Sequence, residues 1–175
     1  MDDKSLEMLE FPRILEIIAG YTAFPISYEL AIGLRPVDDY ERISLLLKQT
    51  AEARTLFNLD KSFSIGNVLD VREIVKRAAL ESILEPQNLL DIQQTLFSLN
   101  QVRRYLGGIS GDFPLLWDIV GGIIDLHQLE KEIGKCLDPA GQVVDNASPV
   151  LADIRRQLRE SREQILGSDK DFFLN

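Results

Sequence analysis

The side chains that most often do chemistry are few in this chain and stand apart. The only histidine, His127, lies between Leu126 and Leu129, with no second histidine or cysteine near it in sequence. A metal site needs three or four ligands, so His127 is read as a structural or surface residue. The only cysteine, Cys136, has no histidine nearby in sequence to lower its pKa, and is read as a small buried hydrophobe in a strand. A single cysteine also excludes an internal disulfide and a cysteine-based zinc site. Carboxylates are plentiful but follow the polar faces of predicted helices, and no spacing singles out an acid and base pair. The glycines offer no phosphate-binding loop. Gly134-Lys135 is the only Gly-Lys dipeptide, but Cys136 stands where Ser or Thr should hold magnesium and Leu129 where the first glycine should be. Gly107-Gly108-Ile109-Ser110-Gly111 has no lysine after it and follows a helix rather than a strand, so it reads as a helix end. No catalytic, cofactor-binding or metal-ligating residue is assigned, and the chain is not expected to be an enzyme by itself.

Two patterns near the C-terminal end are more specific. Arg155, Arg159 and Arg162 recur at spacings of four and three, with Arg156 on an adjoining face, and such a stripe can touch a phosphate backbone. The same helix carries Asp153, Glu160 and Glu163, which leaves one net positive charge, so a solvated face with intrahelical ion pairs competes with the DNA-contact reading. Arg72, Lys76 and Arg77 are read in the same way. Beside the stripe, Leu151, Ile154, Leu158 and Ile165, with Ser161 at the missing step, form one narrow seam at coiled-coil spacing, which calls for a partner helix.

The elements that must position these residues can be read from their end signals. Asp138-Pro139-Ala140-Gly141 suits a type I turn, and two short strands should flank it in a hairpin over 135–145. Ser148 is then an N-cap and Pro149 a first helical residue. Upstream, a short lead-in precedes a helix from about Pro12 to Tyr21, and a brief helix through Glu29 and Leu30 ends before Pro36. Asp38 and Asp39 offer a cap to a long amphipathic helix carrying Ile43, Leu46, Leu47, Ala51 and Phe57. Residues 60–67 form a loop, and a helix spans Val71 to Ala79. Pro86 starts a helix of about five turns whose apolar residues run from Leu89 to Leu106, ended by Gly107-Gly108 as a left-handed cap. A short buried helix between Phe113 and Ile124 ends near Gly121-Gly122, and one more carries Leu126, Leu129 and Ile133. The expected architecture is mainly α: a helical domain over 1–147 with one small β-hairpin, and a projecting helix over 148–175.

Composition bounds the rest. A chain of 175 residues with 45% hydrophobic content can build a real core. A net charge of −9 argues against a free-standing nucleic-acid binder, since phosphate contacts need clustered Lys and Arg. The start, Met-Asp-Asp-Lys, lacks the basic region and apolar core of a signal peptide, and no run approaches the roughly 20 apolar residues of a membrane span. A cytoplasmic location without membrane contact is expected.

The stretch Cys136-Leu137-Asp138, followed by Gly141, a valine, Asp145, Ala147-Ser148, Leu151 and Ile154-Arg155-Arg156, resembles the segment entering the long lever helix in the MutS-II family. These are bacterial MutS relatives that usually carry a C-terminal Smr nuclease domain. Leu9-Glu10-Phe11 with Ile14 and Leu15, and then Leu34-Arg35-Pro36 before an acidic helix start, resemble that family's N-terminus in the same order. Between Phe57 and Ile133 only helix lengths and apolar spacing agree. The resemblance implies a MutS-type core domain and the first turns of a lever that runs to a DNA-embracing clamp. It implies a longer parent that is a homodimeric ATPase and endonuclease, uses ATP and magnesium, binds branched or mismatched DNA, takes part in mismatch repair or restrains recombination, and acts in some members on stalled ribosomes. This chain would be its non-catalytic N-terminal core, without cofactor of its own, with the parent's remaining domains as partners and DNA bound only in that context. After Ile165 the charged pattern gives way to Gly167-Ser168-Asp169 and Phe172-Phe173-Leu174, which suggests a truncated product or an expressed fragment. The alternative expectation is a free-standing all-helical interaction module that docks a partner helix on its seam.

Overall fold

Proline and Asx residues set the helix boundaries in the computed structural model, which describes the backbone of residues 2–172 and the side chains of residues 2–165. Asp2 caps α1 (Asp3–Met8) by accepting the Ser5 N–H at 2.7 Å. Pro12 is the second residue of α2 (Phe11–Ala19), and Pro25 is the first of α3 (Pro25–Ile32). Each fills a position whose N–H would have no partner in the helix. Helix α2 packs against both α1 and α3, and Leu6, Leu15, Ala19 and Ala31 are buried in this region.

Asp39 caps α4 (Tyr40–Leu59), taking the Arg42 N–H at 2.6 Å. After α5 (Arg72–Ala79) comes α6 (Pro86–Gly108), followed by α7 (Pro114–Val120) and α8 (His127–Cys136). The main apolar core joins the end of α4 to α6 and α7 through Leu56, Val102, Leu106 and Phe113, with Phe63, Tyr105, Leu116 and Trp117 packed around them. Glu52 on α4 accepts the Leu116 N–H at 3.0 Å, supplying from another helix the cap that Phe113 cannot give α7.

Two polar residues of α6 hold the long loop before α5. Ser98 donates its hydroxyl to the Asn67 carbonyl at 3.0 Å, and the Thr95 hydroxyl accepts the Leu69 N–H at 3.1 Å. Gly66 has φ of +82°, and a Cβ there would stand 2.9 Å from Ser98 Oγ, so the crossing needs glycine on both counts. At the start of the loop Asp60 accepts the Ser62 hydroxyl at 2.6 Å and the Tyr105 hydroxyl at 2.7 Å. Those bonds hold its carboxyl below the ordinary range, while Asp60 and burial push the Tyr105 phenol up.

Three sequence expectations are corrected. Gly107-Gly108 does not form a left-handed cap: both glycines are helical, and α6 ends at Ile109 with φ of −122°. Gly107 instead lies close against Trp117: a Cβ there would stand 3.3 Å from the ring, which would have to shift by a few tenths of an ångström. Cys136 is not in a strand; it is the last residue of α8, and Lys135 is helical with it. The hairpin turn itself forms, with Gly141 N–H bonded to the Asp138 carbonyl at 3.0 Å and Gly141 at φ of +76°. A type I turn closed by a left-handed glycine is a standard three-residue hairpin loop. Yet only the pair Leu137 and Val143 bridges, because the end of α8 on one side and the 3₁₀ turn Asp145–Ala147 on the other leave no room for strands. The described residues are therefore mainly α, with nine α-helices and no β-strand.

The last helix, α9 (Pro149–Phe172), runs through Gly167-Ser168-Asp169 without a break. Phe173 and Leu174 lie outside the described residues. The accessible surface is 13,602 Å², against about 8,600 Å² for a compact monomer of this mass. Large apolar side chains such as Leu30, Leu47 and Ile83 are accordingly exposed.

Candidate functional site

The residues singled out for chemistry are not gathered by the fold. His127 opens α8 and Cys136 closes it, about 13 Å apart along the helix axis. His127 Nδ1 lies 3.4 Å from Glu130, whose carboxylate also accepts the Asn100 amide at 2.8 Å. Gly134, the glycine of the Gly-Lys dipeptide, sits inside α8, and a Cβ there would come 2.7 Å from the Gln93 amide of α6. It serves helix packing. Among the described residues no group of three or more His, Cys, Asp and Glu has the arrangement of a metal site, and no helix is long and apolar enough to cross a membrane. A groove of about 650 Å³ beside the hairpin turn is lined by Leu90 and Phe97 of α6 and by the carboxylates of Asp91, Glu130 and Asp138.

The root of α9 is where the sequence-selected residues do meet. Ser148, extended at φ of −149° and ψ of 151°, accepts the Leu151 N–H at 3.1 Å, and Pro149 follows it. One and two turns on, Arg155 and Arg159 reach back to one carboxylate. Arg155 Nη1 donates to Asp145 Oδ1 at 2.6 Å and to the Val143 carbonyl at 2.8 Å, and Arg159 Nη1 donates to Asp145 Oδ2 at 2.9 Å. The two guanidinium groups, Arg155 first, hold the Asp145 carboxyl below the usual carboxylate range. Arg156 turns the other way, 3.0 Å from Asp153 and 4.0 Å from Glu160. Arg162 is exposed on the same helix. Three of the four candidate arginines thus already face carboxylates.

The seam beside them is open. Leu151 is half-buried at the root, whereas Ile154, Leu158 and Ile165 are 54%, 53% and 64% exposed. Nothing among the described residues covers them.

Sequence reading missed the partner of the arginines. Asp145 stands ten and fourteen residues before them, and the 3₁₀ turn Asp145–Ala147 with extended Ser148 sets it beside the helix. In the second basic group, read as a solvated face, sequence reading missed the carboxylates that hold Arg72. Arg72 bonds Asp70 through Nε at 2.9 Å and Nη2 at 2.6 Å, and Glu29 on α3 through both terminal nitrogens at 2.8 and 2.9 Å. Lys76 pairs with Glu73 at 2.6 Å, and Arg77 with Asn88. The local partners carry a short-range signal, but Glu29, 43 residues from Arg72, carries none.

No family model matches the chain. Individual proteins do. It is 31% identical over 165 residues to endonuclease MutS2 of Pelotomaculum thermopropionicum, covering 94% of this chain and 21% of that protein. With endonuclease MutS2 of Thermomicrobium roseum it shares 34% over 169 residues, 95% of the chain and 21% of the relative. With that of Symbiobacterium thermophilum it shares 35% over 159 residues, 91% of the chain and 20% of the relative. The resemblance to the MutS-II family is borne out along the chain, which spans about one-fifth of the length of these relatives. Over nearly its whole length the chain is homologous to a region of MutS2.

Proposed function

We propose that this chain is the non-catalytic N-terminal core of a MutS2-like protein, and that α9 is the beginning of a lever linking a DNA-embracing clamp to an ATPase domain elsewhere in the parent. One observation supports this most directly: a 24-residue helix is rooted at one end while its apolar seam stays open from Ile154 to Ile165. A helix with an open seam at coiled-coil spacing needs a second helix to cover it. In this reading the parent is a homodimer that binds branched or mismatched DNA, hydrolyses ATP with magnesium, cuts nucleic acid and restrains recombination, or acts on stalled ribosomes. Its remaining domains supply that chemistry. Direct phosphate contact by Arg155, Arg156, Arg159 and Arg162 is the lesser part of the proposal, since three of them already face carboxylates.

The test compares the isolated chain with a full-length MutS2-like parent on a four-way DNA junction and in ATP hydrolysis. The parent should bind and hydrolyse; the isolated chain should hydrolyse nothing and bind the junction at least about a hundredfold more weakly. Hydrolysis by the isolated, homogeneous chain would sink the reading.

The same open seam favours a second reading, a free-standing helical interaction module. It expects concentration-dependent association of the native chain that Leu158→Asp abolishes. A monomer at all concentrations, or a dimer indifferent to that substitution, removes the seam as a docking face.

A further inference from the structure

The joint between α9 and the body is short. From the hairpin turn the chain passes through a single 3₁₀ turn, one extended residue at Ser148, and then Pro149. An extended residue between two helical segments is a place where the chain can bend, and the Ser148 cap constrains only the first turn. A helix of 24 residues is about 36 Å long, so a tilt of about 10° at the root carries its far end through about 6 Å. Anything that α9 transmits depends on that angle being held.

We propose that Asp145 is a positioning residue that locks this joint. Its two oxygens are taken by guanidinium groups from successive turns of α9, and Arg155 also ties the helix to the Val143 carbonyl on the return arm of the hairpin. Three fixed points are involved: the hairpin backbone, the carboxylate and two turns of helix. Rolling α9 about its axis pulls one arginine off, and tilting it away from the body pulls both. The polarity matters, because without Asp145 the two guanidinium groups stand together with no carboxylate between them, and their repulsion favours opening. The apolar contacts at the root, through half-buried Leu151 and Ala152, end before Arg155 and cannot fix the angle alone. The inference deepens the lever reading but does not depend on its DNA half, since it concerns the isolated chain.

The test measures the joint itself. With Cys136→Ser to remove the only native thiol, spin labels are placed at exposed Gln101 on α6 and exposed Gln164 on α9 by Gln101→Cys and Gln164→Cys. Pulsed dipolar spectroscopy should give one narrow distance distribution. Asp145→Asn should widen it at least about twofold or split it, with the far-ultraviolet helical signal retained, and Arg159→Gln should give an intermediate width. Asp145→Arg combined with Arg155→Glu and Arg159→Glu should narrow it part of the way back, since a glutamate at 155 cannot donate to the Val143 carbonyl, and a merely structural loss would not narrow it at all. Should Asp145→Asn lose its fold, the Arg159→Gln distribution decides alone. An unchanged distribution in either single variant, or a broad one in the unsubstituted chain, overturns the proposal. A chain that fails the junction and ATP experiments yet shows these widths would lose the lever reading and keep the joint.

Discussion

The body of the chain and the root of α9 are fixed by opposite means. In the body, Leu56, Val102, Leu106 and Phe113 exclude water from one another, and the polar groups nearby complete caps and loops. At the root almost nothing apolar is buried, and position is set by one carboxylate, two guanidinium groups and a serine cap. Apolar packing is strong and weakly directional, whereas ion-pair forks at the surface contribute little free energy and have strict geometry. The body is built to stay folded. The root is built to hold an orientation, and damage there should cost direction before stability.

The largest effect that sharpens this contrast should come from Phe113→Ala. Removing a buried aromatic ring from the main core costs about 3–5 kcal/mol, read from the denaturation midpoint, and a loss near that of a root substitution would break the comparison. Next is Gly66→Ala, which places a Cβ against Ser98 at a left-handed position. It should cost about 1–2 kcal/mol and speed hydrogen exchange at the Leu69 amide held by Thr95. Ser148→Ala should cost about 1 kcal/mol or less, seen as fraying of the first turn of α9 by amide exchange, with the midpoint of the body unmoved.

The smallest effect is in acid. Asp70 is held down to about 2 by its bonds to Arg72, and Asp145 is lowered by Arg155 and Arg159. A carboxyl depressed in the folded chain contributes stability that is complete above its unfolded value of about 4 and is lost as pH falls through the folded one. Glu29, which carries the α3–α5 contact, is likewise lowered by Arg72. That contact should therefore loosen below about pH 4, the local Asp70–Arg72 bonds should be lost towards about pH 2, and the root of α9 should loosen below about pH 4. None of these should respond between pH 5 and pH 8. A carbon-detected titration of Glu29 and both aspartates checks this, and Glu29→Gln should flatten the α3–α5 response.

What could be read in advance was what is local. Asp39, Ser148 and Pro149 act within three residues of themselves, so the starts of α4 and α9 were legible, and so was the turn at 138–141. Apolar spacing found α6 and the seam of α9. It could not find Thr95 and Ser98, polar residues that look like a solvent face until a loop 26 to 31 residues away lies across them. Gly107-Gly108 misled because a glycine packed closely against Trp117 has the same signature as one needed for a left-handed cap. The hairpin misled because turn chemistry fixes a reversal and not the length of the strands that enter it. Asp145 was passed over since its partners lie on the far side of a helix boundary.

Trp117 gives the contrast between the two regions an optical form. It is the chain's only tryptophan, wedged between Gly107 of α6 and Gly121 at the end of its own helix. Its emission therefore watches the body and is blind to α9, whereas circular dichroism sums over both. Heated together, the two signals form a built-in pair of clocks: if α9 melts from its far end while the body holds, dichroism will fall before the fluorescence colour shifts, with no label added to the molecule.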